Sequence, residues 1–307
     1  MSADRAPDPE GFCLALDIGG TKLAAALADR RGELRQVTRV PTPRTDDAEE
    51  LFSAVEDLVD TVTGGPAPSL GHLVACGVGC GGPMTLGGEE VSPLNIPAWR
   101  GFPLRRRLED CTGLVCAVDN DAKALALAEG WLGAARASSN YIAMVVSTGV
   151  GGGIVLDGRL LQGTAGNAGH IGHVVVEPDG RPCPCGGRGC VEAEASGMAI
   201  AAFTGRPPAD AAATVIERTG RLVGRAVASV ANLLDLELAV VAGSVALGFG
   251  EPFFAAAQRE VDERARISFA VGTRIVPGGL GADGPLVGAA AVGWRAVGAP
   301  VLEGAAQ

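Results

Sequence analysis

The sequence predicts an α/β protein, and three observations support this class. Short apolar runs with the length of buried strands occupy residues 12–16, 73–78, 114–118 and 141–146. Stretches with the apolar spacing of helices, such as 51–62 and 215–234, alternate with these runs. Two of the runs end directly in glycine-rich turns, as strands do at the ligand-binding edge of α/β sheets. We expect Thr45 or Asp46 to cap the helix that contains residues 51–62.

The 307 residues are enough for two domains. We predict a disordered N-terminus over residues 1–11 and an N-terminal α/β domain over residues 12–121. A C-terminal α/β domain is predicted over residues 122–286, and a last helix at about 287–303 would return to the first domain. The second domain contains residues 170–192, which are rich in histidine and cysteine.

The charge composition argues against a nucleic-acid partner. The chain has 35 acidic and 25 basic residues, and its only basic run, at 105–107, is followed closely by Glu109 and Asp110. The first eleven residues lack the apolar core of a signal peptide, and no apolar run reaches the ~18 residues that span a membrane. We therefore expect a cytoplasmic protein with no membrane partner, in which cysteines are reduced thiols or metal ligands.

Two glycine-rich turns are candidate phosphate sites. Residues 17–22 read Asp-Ile-Gly-Gly-Thr-Lys, and residues 147–153 read Ser-Thr-Gly-Val-Gly-Gly-Gly. Glycines after a strand allow backbone N–H groups to approach a polyphosphate, and Asp17 could hold Mg²⁺. The alternative is an ordinary β-turn at each place. Residues 77–82 match the dinucleotide fingerprint by letter only, and we interpret them, including Gly82, as a backbone-lined wall of the substrate site.

Asp121 is the best candidate for a general base. It follows an apolar strand and is preceded by Asn120, so it is predicted at a strand end, where functional groups of α/β proteins gather. A carboxylate there can accept the proton of a hydroxyl during phosphate transfer. The alternative is that Asp119 or Asp121 only caps the following helix.

The strongest motif is a set of one histidine and three cysteines: His173, Cys183, Cys185 and Cys190. One imidazole and three thiolates are a common ligand set for structural zinc, and glycines and prolines shape the tight loop between them. The alternative is a group of unrelated reduced cysteines.

Taken together, these motifs resemble the repressor–open reading frame–kinase (ROK) family of sugar kinases over nearly all of the chain after residue 11. Residues 17–22 and 147–153 look like the two phosphate loops of that family, and residues 169–192 look like its zinc segment. The resemblance implies an actin-like ATPase (ribonuclease H-like) fold of two domains, with a cleft between them for ATP and sugar. It also implies Mg²⁺ bound with ATP and a structural Zn²⁺.

The resemblance assigns roles to individual residues. Asp121 would be the catalytic base for the 6-hydroxyl of a hexose, and His173 would bind zinc with one ring nitrogen and sugar with the other. Sugar contacts would come from Gly82, Asn95, Asn120, His170, His173 and Glu192. ATP and its phosphates would be bound by Asp17, Gly19, Gly20, Thr21, Lys22, Thr148, Gly149, Gly151, Gly152, Gly243 and Ser244, with Gly243 and Ser244 at the adenosine.

One departure from the family pattern concerns substrate choice. Members that phosphorylate glucose usually carry Glu three residues before the zinc histidine, where this chain has His170. An imidazole can donate as well as accept a hydrogen bond, whereas a carboxylate only accepts. The segment is similar to that of bacterial N-acetylmannosamine kinases, so we favour an amino- or acylamino-hexose, of the N-acetylmannosamine or kanosamine type. A glucokinase, in which His170 is a neutral change, is the alternative.

The predicted protein is thus an ATP-dependent hexose or aminohexose 6-phosphotransferase with a small sugar as its partner. A homodimer would be in keeping with the family. The other class that the resemblance allows is a sugar-binding regulator. We disfavour it because sixteen residues before Asp17 are too few for a DNA-binding domain and because the chain is acidic.

Overall fold

The computed structural model describes residues 11–64 and 72–302. All of the predicted disordered N-terminus except Gly11 lies outside these residues. Contacts divide the described chain into two units. The first comprises residues up to Trp131, Gln162–Asn167 and the residues from Ala282 onward, and the second comprises Leu132–Leu161 and Ala168–Gly281. This division rests on contacts alone, and the domain boundaries expected from the sequence stay predictions.

The first unit is built on a five-stranded sheet. Apolar residues fill its inner strands: Leu14, Leu16 and Leu23 are fully buried. The strands are β1 (Phe12–Ile18), β2 (Lys22–Ala28), β3 (Leu34–Pro41), β4 (Leu73–Cys80) and β5 (Cys116–Asn120), in the spatial order β3-β2-β1-β4-β5. The first three form an antiparallel meander, and β4 and β5 join β1 in parallel, so β1, β4 and β5 all end at the same edge.

Four α-helices belong to the described part of this unit. They are α1 (Ala48–Thr63), α2 (Leu104–Thr112), α3 (Asp121–Trp131) and α9 (Gly284–Ala296). Helix α1 buries the apolar stripe predicted from its spacing, but its N-cap is Asp47 rather than Thr45 or Asp46. The Asp47 side chain accepts hydrogen bonds from the N–H groups of Glu49 and Glu50, whereas Thr45 accepts the N–H of Asp47 itself (3.1 Å).

Helix α9 packs unusually close to the first sheet. It lies against β1 and β4, and its Gly293 faces Gly77 of β4. A Cβ atom at Gly77 would overlap the Ala289 carbonyl oxygen and the Gly293 nitrogen. The two glycines therefore permit a backbone-to-backbone approach that places the C-terminal helix directly on the central strands.

The second unit repeats the strand pattern of the first. Its strands are β6 (Tyr141–Val146), β7 (Val150–Leu156), β8 (Arg159–Leu160), β9 (Leu238–Ala242) and β10 (Arg274–Pro277). Here β6, β7 and β8 are antiparallel neighbours, and β9 and β10 extend the sheet in parallel from β6. The Asp157-Gly158 turn joins β7 to β8 with positive φ at both residues, as is typical of an Asp-Gly hairpin turn.

Five α-helices accompany the second sheet in the described residues. They are α4 (Val191–Ala195), α5 (Gly197–Thr204), α6 (Ala213–Leu234), α7 (Ser244–Phe249) and α8 (Glu251–Arg264). Helices α6 and α8 pack along each other over Gly220 and Gly224. Among the helices of the described ranges, none combines the length and the apolar character needed to cross a bilayer.

Candidate active site

A row of charged residues crosses the first sheet at the edge where its parallel strands end. The strand register aligns Asp17 of β1 with Gly79 of β4, and Gly79 with Asp119 of β5. On the other side of β1, Asp17 faces Ala24, which faces Arg39 of β3. Registered partners point to the same face of a sheet, so two carboxylates and one guanidinium share that face.

Asp17 is largely buried in this row, with 14% of its side chain exposed. Burial raises the pKa of its carboxyl to about 6, the nearby Lys22 lowers it, and the negative charge of Asp121 raises it further. Lys22 lies 4.0 Å from the carboxylate. Ionising the Asp17 carboxyl therefore costs free energy in the folded protein.

The predicted first phosphate turn connects β1 to β2. The Gly19 N–H donates to the Lys22 carbonyl oxygen (3.0 Å), which closes the turn. Thr42 supports it from the end of β3: its hydroxyl donates to the Gly19 carbonyl (2.6 Å), and its N–H donates to that of Thr21 (3.2 Å). Nothing in the local sequence marks Thr42 as a residue that supports this turn, so it was not predicted.

The sugar-contact candidates of the first unit lie beside this turn. A Cβ atom at Gly20 would lie 2.5 Å from the Asn95 carbonyl oxygen, so backbone packs on backbone there. The Asn95 side chain is next to Gly81, and the Asn120 amide nitrogen is next to Gly82. Of the wall predicted from residues 77–82, only Gly81 and Gly82 lie beside the two asparagines, because residues 77–80 belong to β4 and Gly77 packs against α9.

Asp121 is the first residue of α3 and follows β5 with no loop between them. Its side chain is exposed, whereas that of Asn120 is buried. The Ala122 N–H donates to Oδ1 of Asp121 (2.8 Å) and to Oδ1 of Asn120 (3.1 Å). Asn120, which precedes the helix and accepts the N–H two residues on, thus makes the contact typical of an N-cap, which the capping alternative assigned to Asp119 or Asp121. Asp121 is the first helical residue and presents a carboxylate to solvent beside Asp17.

In the second unit, the glycine turn between β6 and β7 is joined to the start of α4. Glu192 of α4 accepts a hydrogen bond from the Val150 N–H (3.1 Å), and a Cβ atom at Gly149 would lie 3.1 Å from the same carboxylate oxygen. The Met198 N–H donates to the carbonyl of Thr148, which is itself exposed (3.2 Å). The turn occupies the same place in its sheet as residues 18–22 do in theirs.

The other candidate nucleotide residues surround this turn within the second unit. Gly151 and Gly152 lie in β7, and Gly152 packs against Ile171 and the Gly169 carbonyl. Gly243 ends β9 with a φ of +99° and lies against the backbone of Val146. The hydroxyl of Ser244 is 2.9 Å from that of Ser147. The predicted adenosine residues and the second glycine turn are therefore neighbours.

The four predicted metal ligands form one compact group, here called the Cys/His cluster: His173, Cys183, Cys185 and Cys190. Their ligand atoms all lie within 4.8 Å of one another, and no other such group of three or more occurs in the described residues. Cys185 Sγ is 3.8 Å from Cys190 Sγ, and Cys183 Sγ is 3.7 Å from His173 Nδ1. A tetrahedron with zinc–sulfur bonds of about 2.3 Å has edges of about 3.8 Å, so the cluster fits zinc.

His170 stands next to this cluster. Its ring centroid is 6.1 Å from that of His173, with 22° between the ring planes, and His170 is exposed. Since His173 turns Nδ1 toward Cys183, its other ring nitrogen points away from the cysteines. The two imidazoles are therefore placed together at the edge of the Cys/His cluster.

Comparison with known proteins agrees with this arrangement. The profile of the ROK family matches residues 13–295. The chain belongs to the ROK family. The N-acetylmannosamine kinase of Citrobacter koseri is 38% identical over 253 residues, which are 77% of this chain and 84% of that protein. The N-acetylmannosamine kinase of Haemophilus influenzae is 36% identical over 78% of this chain and 82% of its own length.

Solved ROK structures share the fold. The ROK hexokinase of Thermus thermophilus has a TM-score of 0.78 at 32% identity and covers 94% of this chain and 99% of its own. A Streptomyces griseus ROK glucokinase, solved with glucose and AMPPNP, has a TM-score of 0.79 at 29% identity and covers 93% of this chain and 100% of its own. The predicted fold class, the actin-like ATPase fold of ROK sugar kinases, is confirmed, and so is the prediction of a sugar kinase.

The predicted site residues form two groups, one in each unit of the chain. The first unit brings together Asp17, Gly19, Gly20, Thr21, Lys22, Gly82, Asn95, Asn120 and Asp121. The second holds Thr148, Gly149, Gly151, Gly152, His170, His173, Cys183, Cys185, Cys190, Glu192, Gly243 and Ser244. The roles of these residues remain predictions. Besides Thr42, the contacts of Ser147, Arg39 and Lys123 were not predicted from the sequence.

We predict that Asp17→Asn stabilises the protein at neutral pH. The folded-state pKa of about 6 lies above the ordinary 3.8, so stability is lost as pH rises from about 4 to about 6. Removing the charge should raise the free energy of unfolding by about 1–3 kcal/mol at pH 7 and by much less near pH 4. Urea unfolding at both pH values, with the exposed Asp46→Asn as control, measures this; an equal effect at both would contradict it.

Proposed function

We propose that this ROK kinase transfers the γ-phosphoryl group of ATP to the 6-hydroxyl of an amino- or acylamino-hexose. The observation that carries the proposal is the placement of Asp121, exposed at the end of a parallel strand and beside Asp17 and the first glycine turn. The relatives named N-acetylmannosamine kinase support an acylamino sugar as substrate.

The reaction needs a base at the attacking hydroxyl. In the proposed mechanism Asp121 accepts the hydroxyl proton while the sugar oxygen forms a bond to the γ-phosphorus. The bond from that phosphorus to the β–γ bridging oxygen breaks, and its electron pair leaves with ADP. Asn95 and Asn120, beside the wall of residues 81–82, would hold neighbouring sugar hydroxyls through their amides.

The phosphates would be held by the two glycine turns. Backbone N–H groups of Gly20 and Thr21 and the Lys22 ammonium are the donors proposed for the first turn. Thr148 to Gly152 would do the same in the second turn, and Gly243 and Ser244 would contact the adenosine. Asp17 is the residue that would hold Mg²⁺, an ion that neutralises phosphate charge when bound with ATP.

The sugar residues of the second unit depend on the Cys/His cluster. Zinc there would be structural, because four protein ligands complete its tetrahedron. Binding through Nδ1 would fix the tautomer of His173 and leave its Nε2–H to donate to a sugar hydroxyl. Glu192 would accept from sugar hydroxyls, and it already takes the Val150 N–H at the second turn.

We predict that Asp121→Asn abolishes most of the kinase activity. The amide keeps the shape of the side chain but cannot accept the proton, so kcat should fall by about 10²–10⁴-fold. A coupled ADP-release assay with ATP and the preferred sugar measures the loss. Asp110→Asn, at an exposed aspartate on α2, is the matched control and should keep normal kcat. Activity undiminished in Asp121→Asn would refute the base assignment.

We predict a preference for amino sugars that depends on His170. The wild type should turn over N-acetylmannosamine, N-acetylglucosamine, glucosamine or kanosamine better than glucose or mannose. His170→Glu, which replaces a donor and acceptor by an acceptor only, should shift kcat/KM toward glucose by about tenfold. Good turnover of glucose with weak turnover of every amino sugar would support the second candidate, a glucokinase like that of Streptomyces griseus.

We predict that Cys185→Ser releases zinc and destabilises the protein. The serine lacks the thiolate that completes the ligand set, so zinc content should fall well below one per chain, with a loss of about 2 kcal/mol or more in unfolding free energy. Elemental analysis and thermal unfolding measure both. Cys111→Ser, an exposed cysteine outside the cluster, should change neither. Full zinc retention in Cys185→Ser would contradict the ligand set.

A further inference from the structure

Lys123 is a buried cation that the proposed mechanism does not use. It is one of only two lysines among 25 basic residues, and 1% of it is exposed. Its ammonium has three acceptors: Asp119 Oδ1 at 2.7 Å, Gln162 Oε1 at 2.6 Å and the Gly166 carbonyl oxygen at 2.8 Å. An ammonium has three N–H donors, so this buried charge is fully hydrogen-bonded.

The ion pair between Asp119 and Lys123 closes a five-residue ring, residues 119–123, that contains Asp121. Asp119 is four residues before Lys123, so their contact spans the junction between β5 and α3 that contains Asn120 and Asp121. Inside the ring, the Asn120 N–H donates to the same Asp119 oxygen (2.8 Å). The backbone that carries Asp121 is thereby fixed on both sides.

The other two acceptors anchor the ring to a distant part of the chain. Gln162 and Gly166 belong to the short segment Gln162–Asn167, which is packed in the first unit. This segment has its own contacts there: the Asn167 side-chain amide donates to the Met84 carbonyl oxygen (3.4 Å), and Gly166 lies against Leu86. Lys123 therefore links the start of α3 to a separate segment, which has its own contacts in the first unit.

We infer that Lys123 is a positioning residue for Asp121: by binding Asp119, Gln162 and Gly166 at once, it holds the carboxylate where the sugar hydroxyl must be deprotonated. This rests on the proposed function, since it assumes that Asp121 is the base. Two separate features of Lys123 carry it, namely its burial and its three acceptors, of which one precedes the junction and two belong to the distant segment Gln162–Asn167.

The same contacts suit a lysine better than an arginine, although all basic residues of the chain except Lys22 and Lys123 are arginines. A guanidinium is planar and larger, and its five N–H groups cannot converge on three acceptors around one nitrogen atom. Lys123→Arg should therefore fail to replace the wild type despite keeping the charge.

The experiment measures kcat and the two KM values separately for Lys123→Met, Lys123→Arg and Gln162→Leu. Misplacing a catalytic group lowers kcat, so Lys123→Met should lose about 10- to 100-fold in kcat, with KM for ATP changed by less than about threefold. Lys123→Arg should show a similar loss. Gln162→Leu changes an exposed residue and removes one of the three acceptors of Lys123, so its kcat should fall by about two- to fivefold.

Leu127→Ala is the control for stability alone. Leu127 is fully buried on the same helix, so its truncation leaves a cavity and lowers the unfolding temperature while all three acceptors of Lys123 remain in place. At a temperature where all variants are folded, its kcat should stay within about twofold of wild type. A Lys123→Met enzyme with kcat as high as that of Leu127→Ala would overturn the inference, and so would a Lys123→Arg enzyme of wild-type kcat.

A second variant covers the case in which Lys123→Met does not fold. Asp119→Asn is isosteric and weakens the ring from its other end, so it should lower kcat by about threefold or more with little change in KM. An unchanged kcat would overturn the inference. Asp121→Asn separates the two proposals: if it stays active the base assignment fails, whereas an inactive Asp121→Asn beside a normal Lys123→Met refutes only the positioning role.

Discussion

The charge balance at one edge of the first sheet is the constraint on which the rest of the first unit depends. Three parallel strands end there, and their register brings Asp17 and Asp119 into one row, with Asp121 at the start of the next helix. Carboxylates held this close are tolerated only when cations offset them. Lys22, Arg39 and Lys123 supply that offset, each from a different element, and Arg39 in turn bonds Asp283 at the beginning of α9.

The pKa values of two buried carboxylates, one in each unit, are shifted in opposite directions. Burial dominates at Asp17 and raises its pKa, so its charge is costly. Burial also raises the pKa of Glu194 on α4, but the Arg181 N–H and the guanidinium groups of Arg218 and Arg181 lower it overall. Glu194 is thus a structural anion that fastens the chain entering the Cys/His cluster. In the described part of the chain Asp17 has no comparable set of donors, since its ion pair with Lys22 is at 4.0 Å, and its charge therefore stays uncompensated by hydrogen bonds.

Much of the fold was predictable because its signals are local. The strand runs, the Asp157-Gly158 hairpin turn and the stripe of α1 each depend on residues a few positions apart. The misses have physical reasons. Edge strand β10 has four residues with only Ile275 buried, so it carries no apolar run. The cap of α1 was misplaced because three successive side chains could accept the helix N–H groups, and only the backbone geometry selects Asp47.

The same contrast separates the parts of the site that sequence could predict from those that it could not. All four ligands of the Cys/His cluster fall within one segment, so their spacing alone predicted the group that the structure assembles. The Asp119–Lys123 pair is also visible as an i,i+4 spacing, but such pairs are usually solvated and worth little. What makes this one different is the approach of Gln162 and Gly166, which are 39 and 43 residues away and bury the ammonium. The burial of this local ion pair depends on a long-range contact. Because that contact forms only in the folded chain, the importance of the pair could not be predicted from the sequence.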